Sequence, residues 1–235
     1  MELDYTFMRE TFFTVWEGAG VTLSLTALSL LLAMIPAFYF AVVRMRGDFL
    51  LSPLVRLYVS FVRGTPIILQ ILLLYSLLPS LINALLQAIG SDFNIFDAVE
   101  PFWYAVIIFT FNTIALLSEV FRSALLAIPK GQLEAGLSVG MSQMQTYVRV
   151  IIPQALVVAL PAIANLTVNL IKGTSLAFLM TVKDVMALGR IAASYGYNYI
   201  EAYIDVFIVY IVLCSVVQAA YHLAEKRLGA FRQMT

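Results

Sequence analysis

Long apolar runs separated by short charged stretches constrain most strongly what this chain can fold into. The first run covers residues 20–43, and its only polar side chains carry hydroxyl groups, which can bond to their own helix backbone. Because about 20 apolar residues in a helix cross the hydrocarbon core of a bilayer, this run is long enough to span a membrane. The chain is 62% hydrophobic and 12% charged, against about 25% charged residues in soluble domains. A water-soluble globule is therefore excluded.

Five such runs predict an all-α integral membrane protein in which residues 1–235 form a single transmembrane domain. The predicted spans are 20–43, 66–89, 101–126, 150–171 and 202–223. Thr65 is predicted to cap the second span, with Pro66 in its first turn, where the missing N–H of proline leaves nothing unpaired. This span is expected to bend or break near Pro79.

Two of the connecting segments also carry structural signals. After the first span, Leu54, Tyr58 and Phe61 recur at helical spacing, which predicts a helix lying at the membrane interface. Before the fifth span, residues 173–199 mix small polar and apolar side chains. That mixture predicts an irregular or interfacial segment rather than a further span.

Positive charges predict the orientation, because the cytoplasmic loops of membrane proteins are enriched in Lys and Arg. Ten of the fourteen basic residues lie at or after the ends of the first, third and fifth spans. With an odd number of spans, this distribution places the N-terminus outside and the C-terminus inside. The acidic stretch before the first run argues against a cleaved signal peptide. Basic and acidic residues balance at 14 each, so nothing indicates a nucleic-acid partner.

Residues 129–149 form the most polar stretch of the interior and carry two helical faces. Leu133, Leu137, Met141 and Met144 make an apolar face, whereas Gln132, Gly136 and Gly140 make a face with almost no side-chain bulk. Two interpretations remain open from the residue types alone. The segment is either a connecting loop whose glycines form turns, or a docking surface that lets another backbone come close.

Several motifs in this region resemble a known family. Glu134-Ala135-Gly136, followed by Gly140 and later by Ile151-Ile152-Pro153, resembles the EAA signature of binding-protein-dependent ABC importer permeases. Four further motifs match the polar amino acid uptake branch of that family in the same order. They are Arg63-Gly-Thr-Pro66, the run 119–132, Leu160-Pro-Ala-Ile-Ala-Asn165 and Lys172-Gly-Thr-Ser-Leu176. Family members more often have Ala at position 136 and an acidic residue at position 173.

The resemblance implies a type I ABC importer permease-like fold, with a cytoplasmic coupling helix pair between spans three and four. It assigns coupling to an ATPase to Lys130, Gly131, Gln132, Glu134, Ala135, Gly136, Gly140 and Pro153. It also implies a multi-pass protein of the bacterial cytoplasmic membrane, in contact with membrane lipid.

The partners that the resemblance implies are two ATP-binding subunits, a second permease subunit that is identical or homologous, and an extracytoplasmic amino-acid-binding protein. ATP and Mg are then cofactors of the ATPase, and this chain carries none. The residues agree independently, because the sequence has no G-x-x-x-x-G-K-[ST] loop that would cradle phosphates. We therefore expect no enzymatic activity on this chain.

Polar side chains within the spans are candidates for the substrate path, because burying them in a bilayer is costly unless they find a partner or a wet cavity. Asn112 and Glu119 share one face of the third span, and Asn165, Asn169 and Lys172 share one face of the fourth. The two stripes are expected to line one cavity, with Thr174 and Ser175 as further hydroxyl donors. Two alternatives stay open: Glu119 in an ion pair with Arg122 or Arg149, and Lys172 as a snorkelling anchor.

The predicted function is the transmembrane permease subunit of an ATP-driven amino acid importer. The run after Lys172 resembles cystine and sulfur amino acid permeases, which suggests L-cystine as the substrate. One competing hypothesis is an ion-gradient-driven carrier that works alone, although five spans do not divide into the inverted repeats expected of such carriers. The other is an intramembrane enzyme. It lacks a Ser/His/Asp set, and the single Cys214 and His222 exclude a zinc cluster.

Overall fold

A computed structural model describes residues 3–91 and 94–232, and within these residues every regular element is a helix. The eleven α-helices are α1 Tyr5–Glu17, α2 Ala19–Arg46, α3 Leu51–Gly64, α4 Ile67–Ala88, α5 Ile95–Ala98, α6 Pro101–Leu126, α7 Gly131–Ser138, α8 Gln143–Thr146, α9 Ile152–Gly173, α10 Val185–Gly196 and α11 Tyr199–Arg232. A π-helix, Tyr147–Ile151, precedes α9, and a 3-10 helix, Thr174–Met180, follows it.

Five helical stretches are long and apolar enough to cross a membrane. They are Tyr5–Arg46, Ile67–Ala88, Pro101–Leu126, Gln143–Met180 and Tyr199–Leu228. The short helix α7 lies between the third and fourth of these stretches, and α8 forms the beginning of the fourth. The predicted all-α membrane architecture with five spans is therefore confirmed.

The centre of the bundle is the packing of α2 along α6. Three alanines one turn apart on α2, Ala33, Ala37 and Ala41, are fully buried. Small side chains at this spacing let two membrane helices approach closely, so that van der Waals contact can hold them without a hydrophobic driving force. Phe109 and Leu117 on α6 fill the space beside them and are also fully buried.

The corner between α3 and α4 differs from the sequence prediction. Thr65 ends α3 instead of capping α4, and its hydroxyl donates to the Phe61 carbonyl at 2.8 Å. Pro66 is the N-cap residue of α4, which has no side-chain cap. The physical reason is that a threonine hydroxyl can bond to a carbonyl one turn earlier, which keeps Thr65 with the preceding helix. The chain then continues through Pro79 as one helix, so the second span is not broken there.

The segment between the fourth and fifth spans is more regular than its composition predicts. Thr174 and Ser175 donate to the carbonyls of Ile171 and Lys172, at 2.6 and 2.7 Å, and thereby continue the helical course of α9. Asp184 then caps α10 by accepting a hydrogen bond from the Ala187 N–H at 2.9 Å. Of the two predicted alternatives, the irregular one is wrong because local side-chain bonds stabilise helical turns here, and the interfacial one stays a prediction.

An N-terminal helix, α1, packs on α10 and α11 and has no counterpart among the predicted spans. Its N-cap residue, Asp4, accepts from the N–H groups of Thr6 and Phe7, both at 3.0 Å. The link to α2 is Gly18, where a Cβ atom would lie 2.5 Å from the Val185 N atom. Only glycine fits this contact, so the sequence at position 18 fixes how closely α10 approaches the start of α2.

Candidate functional site

The segment to which the resemblance assigns coupling is a helical hairpin of α7 and α8, here called the coupling hairpin, and its turn depends on Gly140. This residue lies between α7 and α8 and has a φ of +84°. No atom lies within 4 Å of the position that a Cβ would take. A left-handed φ favours glycine over residues with a Cβ. Ser142 then starts α8 with a capping box, in which its hydroxyl accepts from the Gln145 N–H at 3.2 Å. Gly140 is therefore a turn residue, as one of the two sequence interpretations held.

Gly136 is buried between the two helices of this hairpin. A Cβ atom at position 136 would lie 2.6 Å from Thr146 Oγ1, inside the contact distance of any real side chain. The missing side chain therefore lets α7 pack on α8 within the chain. Within this chain the surface of Gly136 is already covered by Thr146, and the assignment of Gly136 to coupling stays a prediction.

The surface that the hairpin leaves free combines one charge of each sign with apolar side chains. Lys130, Glu134 and Ala135 are exposed, as are Gly131 and Pro153. Among the apolar residues, Val139 and Met144 are 78% and 69% exposed. Such large apolar side chains at an exposed tip mark an interaction surface when they are grouped. The hairpin thus presents a surface suited to a protein partner.

The same hairpin is tied to the spans by its inner face. Leu133 packs against the buried core of the bundle, so the predicted apolar face is divided between the core and the exposed surface. Gln132 accepts a hydrogen bond from Gln154 Nε2 on α9 at 3.3 Å. These two contacts join α7 to the spans.

Glu119 is the centre of an ion cluster that joins three helices. One carboxylate oxygen pairs with Arg44 of α2, and the other accepts from Arg122 Nη2 at 2.9 Å. Arg63 Nη1 at the end of α3 lies 3.6 Å away. The ion pair with Arg122 was one of the two structural alternatives for Glu119, and within the described residues Arg149 is not among its partners. The sequence analysis did not identify Arg44 as a partner of Glu119, although its position at the end of the first span would favour such a pair.

Asn112 is buried, and its amide is bonded to another amide. Its Nδ2 donates to Gln70 Oε1 at 2.9 Å. Gln70 Nε2 in turn donates to the Val62 carbonyl and to Thr65 Oγ1, both at 2.8 Å. This network connects α6 to the corner between α3 and α4. Sequence reasoning missed Gln70, whose signal is its place as the one amide within the apolar start of α4.

Asn165 and Asn169 lie on the exposed side of α9 and do not share a surface with the buried Asn112. Lys172 is exposed further along α9, and Thr174 is buried. Lys172 and Ser175 line a cavity of about 440 Å³ between α9, α10 and α11, together with Tyr203 and Tyr210. The structure thus brings Lys172 and Ser175 together, and within this chain it separates the two stripes that were expected to line one cavity.

A buried carboxyl group lies next to this cavity. Asp184 is fully buried, and its Oδ2 accepts from the Tyr210 hydroxyl at 3.1 Å. Burial raises the pKa of Asp184 to about 6, although the hydrogen bonds from Ala187 and Tyr210 act in the opposite direction. Sequence reasoning missed Asp184, because only the folded chain shows that the loop between α9 and α10 is covered.

A larger cavity, of about 610 Å³, lies at the other end of the bundle. It is lined by Val42 and Arg46 at the end of α2 and by Gln143 and Met144 of α8. The charged end of α2, the start of α3 and the coupling hairpin therefore share one end of the molecule. Among the described residues, no three His, Cys, Asp or Glu side chains are grouped so that they could hold a metal ion.

The chain is similar to proteins of known class over nearly its whole length. The family model for binding-protein-dependent transport system inner membrane components matches residues 29–230. The probable amino-acid permease protein YxeN of Bacillus subtilis (strain 168) is 35% identical over 227 residues, which cover 97% of this chain and 96% of that protein. The L-cystine transport system permease protein TcyB of the same organism is 33% identical and covers 97% and 93%.

Solved structures agree with this similarity. An amino acid ABC transporter whose crystal structure was determined with histidines has a TM-score of 0.79 at 26% identity, covering 97% of this chain and 100% of that chain. The inward-facing MetNI methionine ABC transporter has a TM-score of 0.67 at 19% identity, covering 96% and 99%. The second match shows the fold alone. The predicted type I ABC importer permease-like fold is confirmed, and the chain belongs to the family of binding-protein-dependent transport system inner membrane components.

Proposed function

We propose that this chain is the permease subunit of an ATP-driven amino acid importer and that it is coupled to a separate ATPase through the α7–α8 hairpin. The observation that carries the proposal is the hairpin itself. Its outer surface, with Lys130, Glu134 and Met144, is exposed, whereas its inner face is bound to the spans through Leu133 and the Gln132–Gln154 contact. A partner that binds the outer surface can therefore act on the spans through these inner contacts.

The partners follow from the family. An inner membrane component of a binding-protein-dependent system works with an ATPase and a binding protein. We propose two ATP-binding subunits, which hold the ATP and Mg, and a second permease subunit whose spans complete the path. We also propose that the N-terminus lies outside and the C-terminus inside the bacterial cytoplasmic membrane, as the distribution of Lys and Arg predicts.

The proposed substrate is a polar amino acid, with L-cystine as the first candidate. This rests on the similarity to the L-cystine permease TcyB and on the cavity between α9 and α11. An amino acid carries a carboxylate and an ammonium group. Lys172 offers a cation to the carboxylate, and Ser175 Oγ, whose proton goes to the Lys172 carbonyl, keeps lone pairs that can accept from the ammonium group. Asn165 and Asn169 extend this polar surface along the exposed side of α9.

The coupling role is tested by reversing one charge on the exposed surface of the hairpin. In the reconstituted complex with its ATPase and binding protein, Glu134→Arg is expected to reduce ATP-coupled uptake at least tenfold and to weaken binding of the ATPase. Loss of one well-formed charged contact at an interface removes about 1.4 kcal/mol or more, which is a factor of ten. The side chain of Glu134 is exposed, so the permease itself is expected to fold normally.

The matched control is Glu10→Arg, which makes the same change of charge on an exposed residue of α1 at the opposite end of the bundle. Its uptake is expected to equal that of the unaltered protein. Undiminished assembly and uptake in Glu134→Arg would refute the coupling role of the hairpin, whereas equal losses in both variants would show that the change acts through general charge alone.

A further inference from the structure

Helix α3 has two apolar faces, and the rest of the bundle covers only one of them. Val55, Val59 and Val62 point inward and are buried against α2 and α6. Four large side chains on the opposite side of the helix are exposed. They are Leu54, Leu57 and Phe61 within the helix and Leu50 at its N-cap, with exposed fractions between 50% and 75%. A water-facing helix would not carry such a row, because large exposed apolar patches mark an interaction surface.

Arginines lie along the edge between these two faces. At 100° per residue, Arg56 and Arg63 fall on the same edge of α3, and both are exposed. Arg56 forms no ion pair among the described residues, and neither does Arg46 at the end of α2. Arg63 lies 3.6 Å from Glu119, but both oxygens of that carboxylate already accept bonds from Arg44 and Arg122. The positive charge along this edge is therefore not neutralised by the chain.

The region around this edge also carries a net positive charge. From Arg44 to Arg63, together with Glu119 and Arg122, there are five arginines against Asp48 and Glu119, which leaves a net charge of plus three. This region lies at the same end of the bundle as α8, because Arg46 and Met144 line one cavity. An exposed apolar row with a cationic edge, at the ends of membrane spans, has the chemistry of a helix that lies at a bilayer surface.

We propose that α3 lies in the headgroup region of the membrane leaflet at the coupling end and that Arg56 and Arg63 bind the phosphates of anionic phospholipids. The row from Leu50 to Phe61 then lies among the upper acyl chains. Charge complementarity selects this occupant, since the surplus arginines require an anion and the adjacent row requires hydrocarbon. The α3 helix would thus fix the height of the α2 end and of the Glu119 cluster relative to the bilayer.

The test uses the full-length chain in detergent and measures bound lipid by native mass spectrometry during titration with phosphatidylglycerol or phosphatidylcholine. We expect phosphatidylglycerol to bind more tightly than phosphatidylcholine. A basic residue near an anionic surface contributes a factor of about five, so Arg56→Gln is expected to weaken binding of phosphatidylglycerol about fivefold. The double variant Arg56→Gln/Arg63→Gln is expected to weaken it about thirtyfold by the same relation.

Two controls make the outcome decisive. Arg9→Gln removes an exposed arginine from α1 at the opposite end and is expected to leave the affinity unchanged. Arg56→Gln alone leaves the Glu119 cluster intact, so its loss of affinity cannot come from misfolding of that cluster. Equal affinity of the unaltered chain and Arg56→Gln for phosphatidylglycerol would overturn the proposal.

Three other results would also overturn it. Glycerol phosphate that displaces phosphatidylglycerol at equal concentration would identify a site for a soluble phosphate, not for a lipid. Efficient cross-linking between two cysteines introduced at Leu57 of separate copies would identify a contact between permeases. No preference for phosphatidylglycerol over phosphatidylcholine would show that the arginines do not bind lipid phosphate. Protection of 51–64 from hydrogen exchange in phosphatidylglycerol nanodiscs, which Arg56→Gln reduces, would support the proposal directly.

Discussion

Gly136 shows how a single missing side chain sets the shape of the coupling hairpin. The residue is buried, and the space that a Cβ would need is occupied by Thr146. A Cβ at this position would lie 2.6 Å from Thr146 Oγ1, so the approach of α7 to α8 is closer in this chain than an Ala would allow. Gly136 and Thr146 therefore pack against each other, and a change in the size of either side chain alters the spacing of α7 and α8.

Gly136→Ala is expected to destabilise the hairpin by about 1–3 kcal/mol, the usual cost of overpacking, and to lower ATP-coupled uptake. The second substitution Thr146→Ala is expected to restore part of the loss, because it removes both atoms that lie closest to the new Cβ. Uptake by the reconstituted complex and thermal unfolding of the permease measure the two effects.

The control for this experiment is Gly131→Ala, since nothing lies within 4 Å of a Cβ at position 131. It gains the same methyl group on the same helix and is expected to unfold at the temperature of the unaltered protein. A Gly136→Ala variant that unfolds at the same temperature as this control would contradict the account of the hairpin.

Asp184 gives the stability of the chain a dependence on pH. Its pKa is about 6 in the folded chain, against an ordinary value of 3.8, because burial disfavours the charged form. The folded state then binds a proton that the unfolded state has released between these two values. Stability from this group is therefore gained as the pH falls below about 6, and it is lost as the pH rises through the folded pKa.

We expect the melting temperature to depend on pH between about 4 and 6 less strongly in Asp184→Asn than in the unaltered chain. The asparagine can still accept from the Ala187 N–H and bond to the Tyr210 hydroxyl, so its cap is retained. Asp184→Ala, which loses the cap, is expected to be less stable than Asp184→Asn at every pH. Identical pH profiles of Asp184→Asn and the unaltered chain would rule out this role for the carboxyl group.

At the scale of elements, the corner between α3 and α4 is fixed to α6 by two buried amides. Gln70 Nε2 donates to the Val62 carbonyl and to the Thr65 hydroxyl, and Gln70 Oε1 accepts from Asn112 Nδ2. Buried amides without partners are costly, so this network specifies one arrangement of the three helices. Asn112 thus joins α6 to this corner through its Nδ2 group, and its place in the substrate path stays a prediction.

Gln70→Leu is expected to cost about 1–3 kcal/mol of stability, because it leaves the Asn112 amide buried without its partner. The double variant Gln70→Leu/Asn112→Leu is expected to be more stable than Gln70→Leu alone, since it removes the stranded amide. A double-mutant cycle measured by thermal unfolding reports the coupling. Strictly additive losses would show that the two amides do not depend on one another.

The elements that could be predicted from the sequence are those whose signal lies within one segment. The five spans follow from apolar runs, and the hairpin between the third and fourth follows from its glycines and its resemblance to the EAA signature. The partner of Glu119 could be predicted only where it lies on the same helix, as Arg122 does three residues away. Arg44 and Gln70 required knowledge of which helices are neighbours.

The errors have the same origin. Residues 173–199 look irregular by composition. In the structure, the Thr174 side chain continues the helical course of α9, and the Asp184 side chain caps α10. Asn112 and Asn165 belong to two polar stripes that were expected to line one cavity. Within this chain, Asn112 is buried and bonded to Gln70, whereas Asn165 is exposed. Periodicity gives the face of a helix on which a residue lies, but not the neighbour that this face meets.

At the scale of the whole molecule, the two ends of the bundle have different roles in this account. One end carries the coupling hairpin, the ion cluster of Glu119 and the cationic helix α3. The other carries α1, α10 and the buried Asp184. The proposed cycle of an importer requires that force applied at the first end opens and closes the path between the spans, so the chain alone should be unable to concentrate a substrate.

Reconstitution in sealed vesicles tests this central claim most directly. The chain is inserted alone, or together with its ATPase and binding protein and internal ATP, and uptake of labelled L-cystine is followed with and without an ion gradient. We expect accumulation only in the complete system with ATP, and no accumulation by the chain alone under any ion gradient. Accumulation against a concentration difference by the chain alone would contradict the account and identify a carrier that needs no ATPase.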